Sequence, residues 1–222
     1  MTALQRKLLR DLWRTRAQVA SVAAVLAGGV MTVVALRGTS TALDRARTAY
    51  YAAGHFGDVF ATLTRAPEAV GLRLAAIPGV AQVTTRVVKD VRLDIAGLDR
   101  PGMGRLIALP PQRAGEKQSL NLVRVLRGRE VGPDADNEVL VSGRFAEANR
   151  LAPGDSLIAI INQRRARLQI VGIGGAPDYL YEEGGGGMMI DERGFAIIWA
   201  PRELVDDATG MRGAFNLSLI HI

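Results

Sequence analysis

Cysteine is absent from this sequence of 222 residues, histidine occurs only twice, and aromatic residues make up 5% of the chain. Without cysteine there is no disulfide framework, no cysteine nucleophile, no lipid-anchored cysteine and no thiolate metal site. His55 and His221 leave too little histidine for a histidine-based metal site or a catalytic triad. What the chain does contain is 48% hydrophobic and 23% charged residues. This is the composition of a folded protein that can bury a sizeable core.

The positive charge of the chain is concentrated at its N-terminus. Of a net charge of +6, residues 1–18 contribute +4 through five basic side chains and one acid. The remaining residues are nearly balanced in charge, with no basic stripe and few aromatic side chains to stack on bases. The composition therefore argues against nucleic acid as a partner. The five basic residues are Arg6, Lys7, Arg10, Arg14 and Arg16, and the acid is Asp11.

A run of 20 uncharged residues, 17–36, follows this basic segment directly. At about 1.5 Å per residue a helix of this length spans roughly 30 Å, the thickness of a bilayer hydrocarbon core. A cleavable signal peptide is the main alternative, but its apolar region is normally about 7–15 residues long, and Arg37 interrupts the expected cleavage region. We therefore predict a transmembrane helix over 17–36 in the cell inner (plasma) membrane. The positive-inside bias makes residues 1–16 cytoplasmic and the body extracytoplasmic or periplasmic.

Two features of this anchor indicate contacts beyond simple insertion. Leucines and Trp13 recur at helical spacing among the basic residues of 1–16, which predicts either an amphipathic helix on the membrane lipids or a plain basic stop signal. Within the span, Ala20, Ala24 and Gly28 recur every four residues, a pattern typical of close-packed transmembrane helices. We therefore expect further transmembrane helices to pack here, from a missing part of the chain or from a second copy of it.

The body of the chain mixes helices and strands without an internal repeat. A helical stalk is predicted over 37–54, and Pro67 and Pro201 each begin a short helix. Ser142 is the predicted N-cap of a helix ending at Asn149. The fold class is α+β: an N-terminal transmembrane helix, then a mixed α/β extracytoplasmic domain of two small lobes over 55–216, with 217–222 left outside it. Strands are predicted over 58–64, 80–97, 105–109, 120–126, 138–141 and 196–199, and 156–162 and 167–173 form a hairpin around residues 163–165.

Three motifs could in principle carry chemistry. The block from Gly154 to Leu157 matches the nucleophile motif of a family of serine esterases, which needs the serine at a strand-to-helix turn and a distant histidine base. Here the block precedes a strand, and the available histidines are His55, near the stalk, and the near-terminal His221. The glycines of 172–175 follow a strand, yet no crossover helix follows them, so a dinucleotide site is not supported. The glycine-rich run 184–187 lacks the lysine of a phosphate-binding loop. The acids around that run match no calcium-loop spacing; they are Glu182, Glu183, Asp191 and Glu192.

The order of several blocks resembles the FtsX/MacB-like ABC transporter permeases. Leu9-Arg10-Asp11-Leu12 running into the span is similar to the start of those chains. The blocks 138–142, 151–155 and 168–173 are similar to the second half of their MacB-type periplasmic core domain. The segment from Trp199 to Leu204 resembles the end of that domain.

The resemblance implies a non-enzymatic permease subunit whose cytoplasmic partner is a separate ABC ATPase. ATP hydrolysis by that partner would move the extracytoplasmic domain, for export, for lipid or lipoprotein release, or for force transmission to an extracytoplasmic partner protein. The alternatives are a single-span anchored binding or assembly module without an ATPase, and an anchored hydrolase that uses Ser156. No catalytic, cofactor-binding or metal-ligating residue and no cofactor is predicted.

Overall fold

The computed structural model of the chain describes residues 3–95, 97–98, 101–110, 120–132, 135–179 and 192–222. It contains two compact units, residues 1–50 and residues 51–222. The fold is mixed α/β, with an apolar N-terminal helix and a sheet-rich domain. This agrees with the fold class predicted from the sequence.

The described part of the N-terminal unit is helical except at Thr15. Helix α1 (Ala3–Arg14) is followed by α2 (Arg16–Ala53), and the predicted span and stalk are one continuous helix in α2. None of its described side chains is buried. Within the described part of the chain, α2 is the one helix that is long and apolar enough to cross a membrane. The hydroxyl of Thr32 donates to the carbonyl oxygen of Gly28 at 2.9 Å, so this polar side chain of the span is satisfied within its own helix.

The domain of residues 51–222 begins and ends in a three-stranded antiparallel sheet. Its order is β1 (Val59–Pro67), β10 (Ala214–His221) and β2 (Gln82–Arg86). Helix α3 (Glu68–Ala75) starts after Pro67, as predicted, and packs on this sheet. The central strand is β10, and Phe215 and Leu219 on it are fully buried. Residues 217–221, which the sequence placed outside the domain, belong to its central strand, because they pair with β1 on one side and with β2 on the other.

The second sheet closes on itself as a barrel. Seven strands follow in the order β5-β8-β6-β9-β4-β3-β7, and β7 also pairs with β8. The closed ring consists of six strands, whose edges are all paired, whereas among the described strands β5 pairs only with β8 and keeps one free edge. The strands are β3 (Val88–Asp94), β4 (Gly102–Leu109), β5 (Arg124–Gly128), β6 (Glu138–Ser142), β7 (Ser156–Ile161), β8 (Arg164–Gly175) and β9 (Phe195–Pro201), with helices α4 (Gly143–Asn149) and α5 (Arg202–Thr209) between them.

Successive side chains along the strands point to opposite faces of the sheet and form two apolar cores. On β9, Ala196, Ile198 and Ala200 join the core that also contains Phe145 of α4 and Val205 of α5. The opposite face of the same strand joins a second core, formed by Phe195, Ile197 and Trp199 with Ile107, Leu140, Val171 and Ala176. Because both faces of β9 are covered, its sequence is a continuous apolar run rather than an alternating one.

Several predicted elements differ from the structure in their limits. The long strand over 80–97 is two strands, which separate at Val87 and enter different sheets. The predicted strand over 120–126 begins only at Arg124. The hairpin turns at Asn162 and Gln163, with φ of 48° and 67°, rather than around 163–165. A two-residue turn in which both residues have positive φ matches the twist of the paired strands. The residues around this turn did not predict its position.

Candidate functional site

A buried arginine lies where the three-stranded sheet meets the barrel. Arg86 is 1% exposed and is the last residue of β2. Its Nη1 lies 3.3 Å from Oδ2 of Asp178, and its Nη2 donates to the carbonyl oxygens of Leu120 and Asn121 at 2.7 and 2.8 Å. Asp178 lies in a short 3-10 helix, Pro177–Tyr179, that follows β8. We call Thr84, Arg86, Leu120, Asn121 and Asp178 the junction cluster.

The junction cluster holds the backbone that immediately follows helix α2. Asn121 donates its backbone N–H to the carbonyl oxygen of His55 at 3.0 Å, and Leu122 donates to that of Gly54 at 2.9 Å. The side-chain oxygen of Asn121 accepts from the backbone N–H of Gly57 at 2.8 Å. Thr84 completes the set, because its hydroxyl oxygen accepts from Leu120 N at 3.1 Å. Residues 54–57 are therefore connected by hydrogen bonds, through residues 120–122, to β2 and to the segment after β8.

Local conformation explains why an asparagine occupies the centre of this arrangement. Asn121 has φ of 53° and is completely buried. Asparagine enters the left-handed region more easily than most residues. The same residue bonds the chain after α2 with both its backbone and its side chain. A change at Asn121 would thus affect its own turn and the hydrogen bonds to His55 and Gly57 together.

Burial dominates the electrostatics of the cluster. Desolvation raises the pKa of the Asp178 carboxyl, while the nearby guanidinium of Arg86 opposes this. Burial also raises the pKa of the neighbouring Tyr179 to about 12, and the Asp178 carboxylate adds to that effect. Among the described residues, Nε of Arg86 and Oδ1 of Asp178 have no hydrogen-bond partner. A buried pair of this kind costs desolvation free energy and is strongly destabilising to break.

Two further polar links join the three-stranded sheet to the barrel. The amide of Asn216 on β10 accepts from Val88 N at 2.8 Å and donates to Val88 O at 2.7 Å. Arg202, at the start of α5, donates to Oε1 of Glu68 at 2.7 Å and to Ala214 O at 2.6 Å. The interface between the two sheets thus depends on oriented hydrogen bonds as well as on apolar contact.

An aromatic row lies beside the junction cluster. The rings of Tyr51 and Phe56 are 4.6 Å apart between centroids, and those of Phe56 and Phe60 are 5.3 Å apart. Phe60 remains 42% exposed. These rings pack the last turn of α2 against the first strand of the domain.

The structure separates the residues that could have formed a serine esterase. Ser156 opens β7 in the barrel, and its hydroxyl oxygen accepts from Nε of Arg167 at 3.1 Å. His221 lies in the other sheet, on β10, with its Nδ1 2.6 Å from Oδ2 of Asp58. His55 belongs to the turn after α2. The motif around Gly154 is a turn into a strand, as the sequence indicated.

The other motifs that could have carried chemistry either belong to strands and ion pairs or lie outside the described residues. Gly172 and Gly174 are within β8. At Gly172 the neighbouring backbone approaches too closely for a side chain, whereas a Cβ at Gly174 would meet its nearest neighbour at 3.2 Å. Glu192 pairs with Arg144 at 3.4 Å. The glycine run 184–187 and the acids Glu182, Glu183 and Asp191 lie outside the described residues. Within residues that are described, no group of three acidic or histidine side chains is placed to hold a metal ion.

Sequence reasoning missed the junction cluster. Arg86, Asn121 and Asp178 are widely separated in the chain and match no motif. The one available signal was a charged residue in an otherwise uncharged strand-like stretch, Val83 to Val88. A charged residue in such a strand is either exposed to solvent or paired with an opposite charge, and its partner cannot be identified from the sequence.

Comparisons with solved structures find similar folds. The chain is similar to the extracellular domain of the noncanonic ABC-type transporter YknZ from Gram-positive bacteria, with 14% identity, a TM-score of 0.45, and coverage of 72% of this chain and 80% of that one. It is also similar to the periplasmic region of MacB from Actinobacillus actinomycetemcomitans, with 14% identity, a TM-score of 0.43, and coverage of 70% and 64%. A third match is a domain of a permease protein from Porphyromonas gingivalis, with 11% identity, a TM-score of 0.39, and coverage of 73% and 63%. No protein-family model and no curated protein sequence matches the chain.

Proposed function

We propose that this chain is the permease subunit of an ABC transporter-type complex, in which a separate cytoplasmic ATPase drives movement of the extracytoplasmic domain. One observation carries the proposal. The backbone after α2, the one described helix long and apolar enough to cross a membrane, is hydrogen-bonded directly to a buried cluster that joins β2 to the segment after β8. A tether that only anchored a domain would not require such a connection.

The contacts of the cluster suggest how movement would pass into the domain. A displacement at Gly54 or His55 is carried to Asn121 and Leu122 through three hydrogen bonds of 2.8 to 3.0 Å. Arg86 holds the carbonyl oxygens of residues 120 and 121 and pairs with Asp178. Since these groups are buried, each is costly to leave unpaired, and the segments are expected to move together. No side chain in this route needs to act as an acid, base or nucleophile.

The orientation follows from the charge at the N-terminus. Five basic residues before the span place residues 1–16 on the cytoplasmic side of the inner membrane, and the sheet-rich domain is then extracytoplasmic. The ATPase contact would lie on the cytoplasmic side. Export, lipid or lipoprotein release, and force transmission to another protein are all compatible with this arrangement.

Paired labels test the proposal, and the absence of cysteine makes labelling straightforward. Thr41→Cys and Glu147→Cys place one spin label on α2 and one on α4, in the full chain reconstituted with a candidate ABC ATPase. We expect the distance between the labels to change on addition of ATP with a hydrolysis-deficient ATPase. A second pair, Lys89→Cys and Arg164→Cys, lies on strands of the barrel and should keep its distance.

A matched pair of variants connects the movement to the junction cluster. Asn121→Ala removes the side-chain bond to Gly57 and should reduce the ATP-dependent change while the ATPase remains bound. Asn149→Ala, on α4, removes an amide that contacts Phe145 O and Arg193 O instead, and should leave the change intact. Failure of a folded chain to bind the ATPase would favour the single-span binding module, whose activity would survive deletion of residues 1–16.

A further inference from the structure

Helix α1 exposes two unlike sets of side chains. Leu4 is 76% exposed and Trp13 is 68% exposed, and both are large apolar residues that gain free energy when they leave water. The cations of the same helix are exposed as well. They are Arg6, Lys7, Arg10 and Arg14, against Asp11 as the one acid in α1.

The cations and the large apolar residues occupy different sides of α1. At about 100° per residue, positions 6, 7, 10 and 14 fall on one side of the helix. Positions 4 and 13 flank the opposite side, where the sequence places leucines. Such a division is typical of helices that lie in the plane of a membrane surface.

The position of α1 in the chain favours a membrane over other occupants. Helix α1 ends at Arg14, and the membrane-crossing helix α2 starts at Arg16. A surface of opposite charge that also accepts apolar side chains therefore begins within a few residues of α1. A helix of 12 residues is marginal in water by itself, so contact with such a surface would also stabilise its helical form. Tryptophan is enriched at the level of the lipid headgroups.

We propose that α1 is a binding site for anionic phospholipid headgroups on the membrane surface next to the span. The cations of α1 bind the phosphates and anionic groups, and Leu4 and Trp13 enter the interface. The proposal needs α2 to cross a membrane and does not depend on an ATPase, so its failure and that of the proposed function are distinguishable. Each lysine or arginine near an anionic surface strengthens association about fivefold, so four together discriminate strongly between anionic and zwitterionic lipid.

The test uses the full chain in lipid nanodiscs without any ATPase. Discs of zwitterionic phosphatidylcholine are compared with discs in which about a third of the lipid is anionic phosphatidylglycerol, with brominated acyl chains as the quencher. The chain has two tryptophans, and Trp199 is 1% exposed in the domain core. Subtracting the signal of Trp13→Phe therefore isolates Trp13. We expect its quenching to be at least twofold greater in anionic discs and to fall as salt is raised.

Two variants with four substitutions each, one in α1 and one in the barrel as its control, test the role of the cations. Replacing Arg6, Lys7, Arg10 and Arg14 by Gln should abolish the difference between the two lipids. Replacing Lys89, Arg124, Arg127 and Arg164, which are exposed on the barrel, removes the same residue types and should leave the difference unchanged. Equal quenching in the two lipids, or an unchanged difference after neutralisation of α1, would overturn the proposal. Protection of Trp13 that appears only when an ATPase is added would identify α1 as a protein contact instead and would equally overturn it.

Discussion

The guanidinium of Arg86 and the carboxylate of Asp178 face each other across the junction of two sheets, 3.3 Å apart, with side chains only 1% and 8% exposed. Arginine cannot release its proton when it is buried, whereas a carboxyl group can take one up. The two partners are therefore not equivalent, and this difference gives the first prediction.

Asp178→Asn should destabilise the chain more than Arg86→Met. The Asn variant leaves a buried guanidinium without a counter-charge, which costs about 3–5 kcal/mol. In the Met variant Asp178 can become neutral, since burial already raises the pKa of its carboxyl. Urea unfolding of the full chain in detergent measures both free energies, with Trp199 as the reporter in a Trp13→Phe background. The double variant should lose less than the sum of the single variants, and strict additivity would contradict a direct interaction.

The second prediction concerns the pH dependence of the pair formed by Arg129 and Glu138. Both nitrogens at the end of the Arg129 side chain donate to the carboxylate, one of them at 2.7 Å, and Gly132 N donates at 3.0 Å. These bonds lower the pKa of Glu138 from 4.5 to about 2. Because the folded-state pKa is the lower one, the stabilising contribution is present above pH 4.5 and is lost as the pH falls towards about 2. Glu138→Gln should therefore destabilise the chain at pH 7, and its difference from the unmodified chain should vanish in acid.

Glu147→Gln is the matched control for this measurement. Glu147 is exposed on α4, and its neutral variant should unfold like the unmodified chain across the whole pH range. Thermal unfolding at a series of pH values suffices. If Glu138→Gln destabilised the chain equally at pH 2 and at pH 7, the negative charge of Glu138 would not be the source of the stabilisation.

The third prediction uses two glycines of the same strand. A Cβ at Gly172 would lie 2.8 Å from Cδ2 of Leu140 and 2.5 Å from the carbonyl oxygen of Arg129. One of these neighbours is backbone and cannot rotate away, so Gly172→Ala should cost about 1–3 kcal/mol of unfolding free energy. Gly175→Ala meets nothing within 4 Å and should be close to neutral. If both variants had equal stability, the close approach of β8 to its neighbours would be disproved.

The fourth prediction concerns the amide of Asn216, which both accepts from and donates to the backbone of Val88. Asn216→Asp keeps the acceptor but places a carboxylate against the carbonyl oxygen of Val88, at a cost of about 1–3 kcal/mol near neutral pH. Protonation restores a donor, and because the unfavourable contact raises the pKa of the introduced carboxyl in the folded chain, part of this loss should be recovered at pH 4. Asn216→Ala has no titrating group at this position and should lose the same unfolding free energy at pH 4 and at pH 7. Denaturant titrations at pH 4 and pH 7 measure this difference.

Local pattern in the sequence was sufficient for the anchor and for most elements. Twenty uncharged residues after a basic segment specify a long apolar helix without reference to any other part of the chain. Pro67 and Pro201 fixed the starts of α3 and α5, because proline is accommodated in the first turn of a helix. Ser142 was placed correctly before α4, although its hydroxyl accepts from Ile197 N at 3.3 Å and makes no capping bond.

Tertiary structure decided which strands pair and which polar groups meet. The stretch 80–97 has one continuous strand-like pattern, yet it divides at Val87, because its two halves pair with β10 and with β4. Residues 217–221 carried no turn or cap signal, and their place at the centre of a sheet depends on pairing with strands more than 130 positions away. The junction cluster has the same origin: Arg86, Asn121 and Asp178 are separated by 35 and 57 positions. Composition and periodicity act between near neighbours, so the sequence determined the anchor and its charge by itself. The buried charge pair exists only because the folded chain removes both groups from water together.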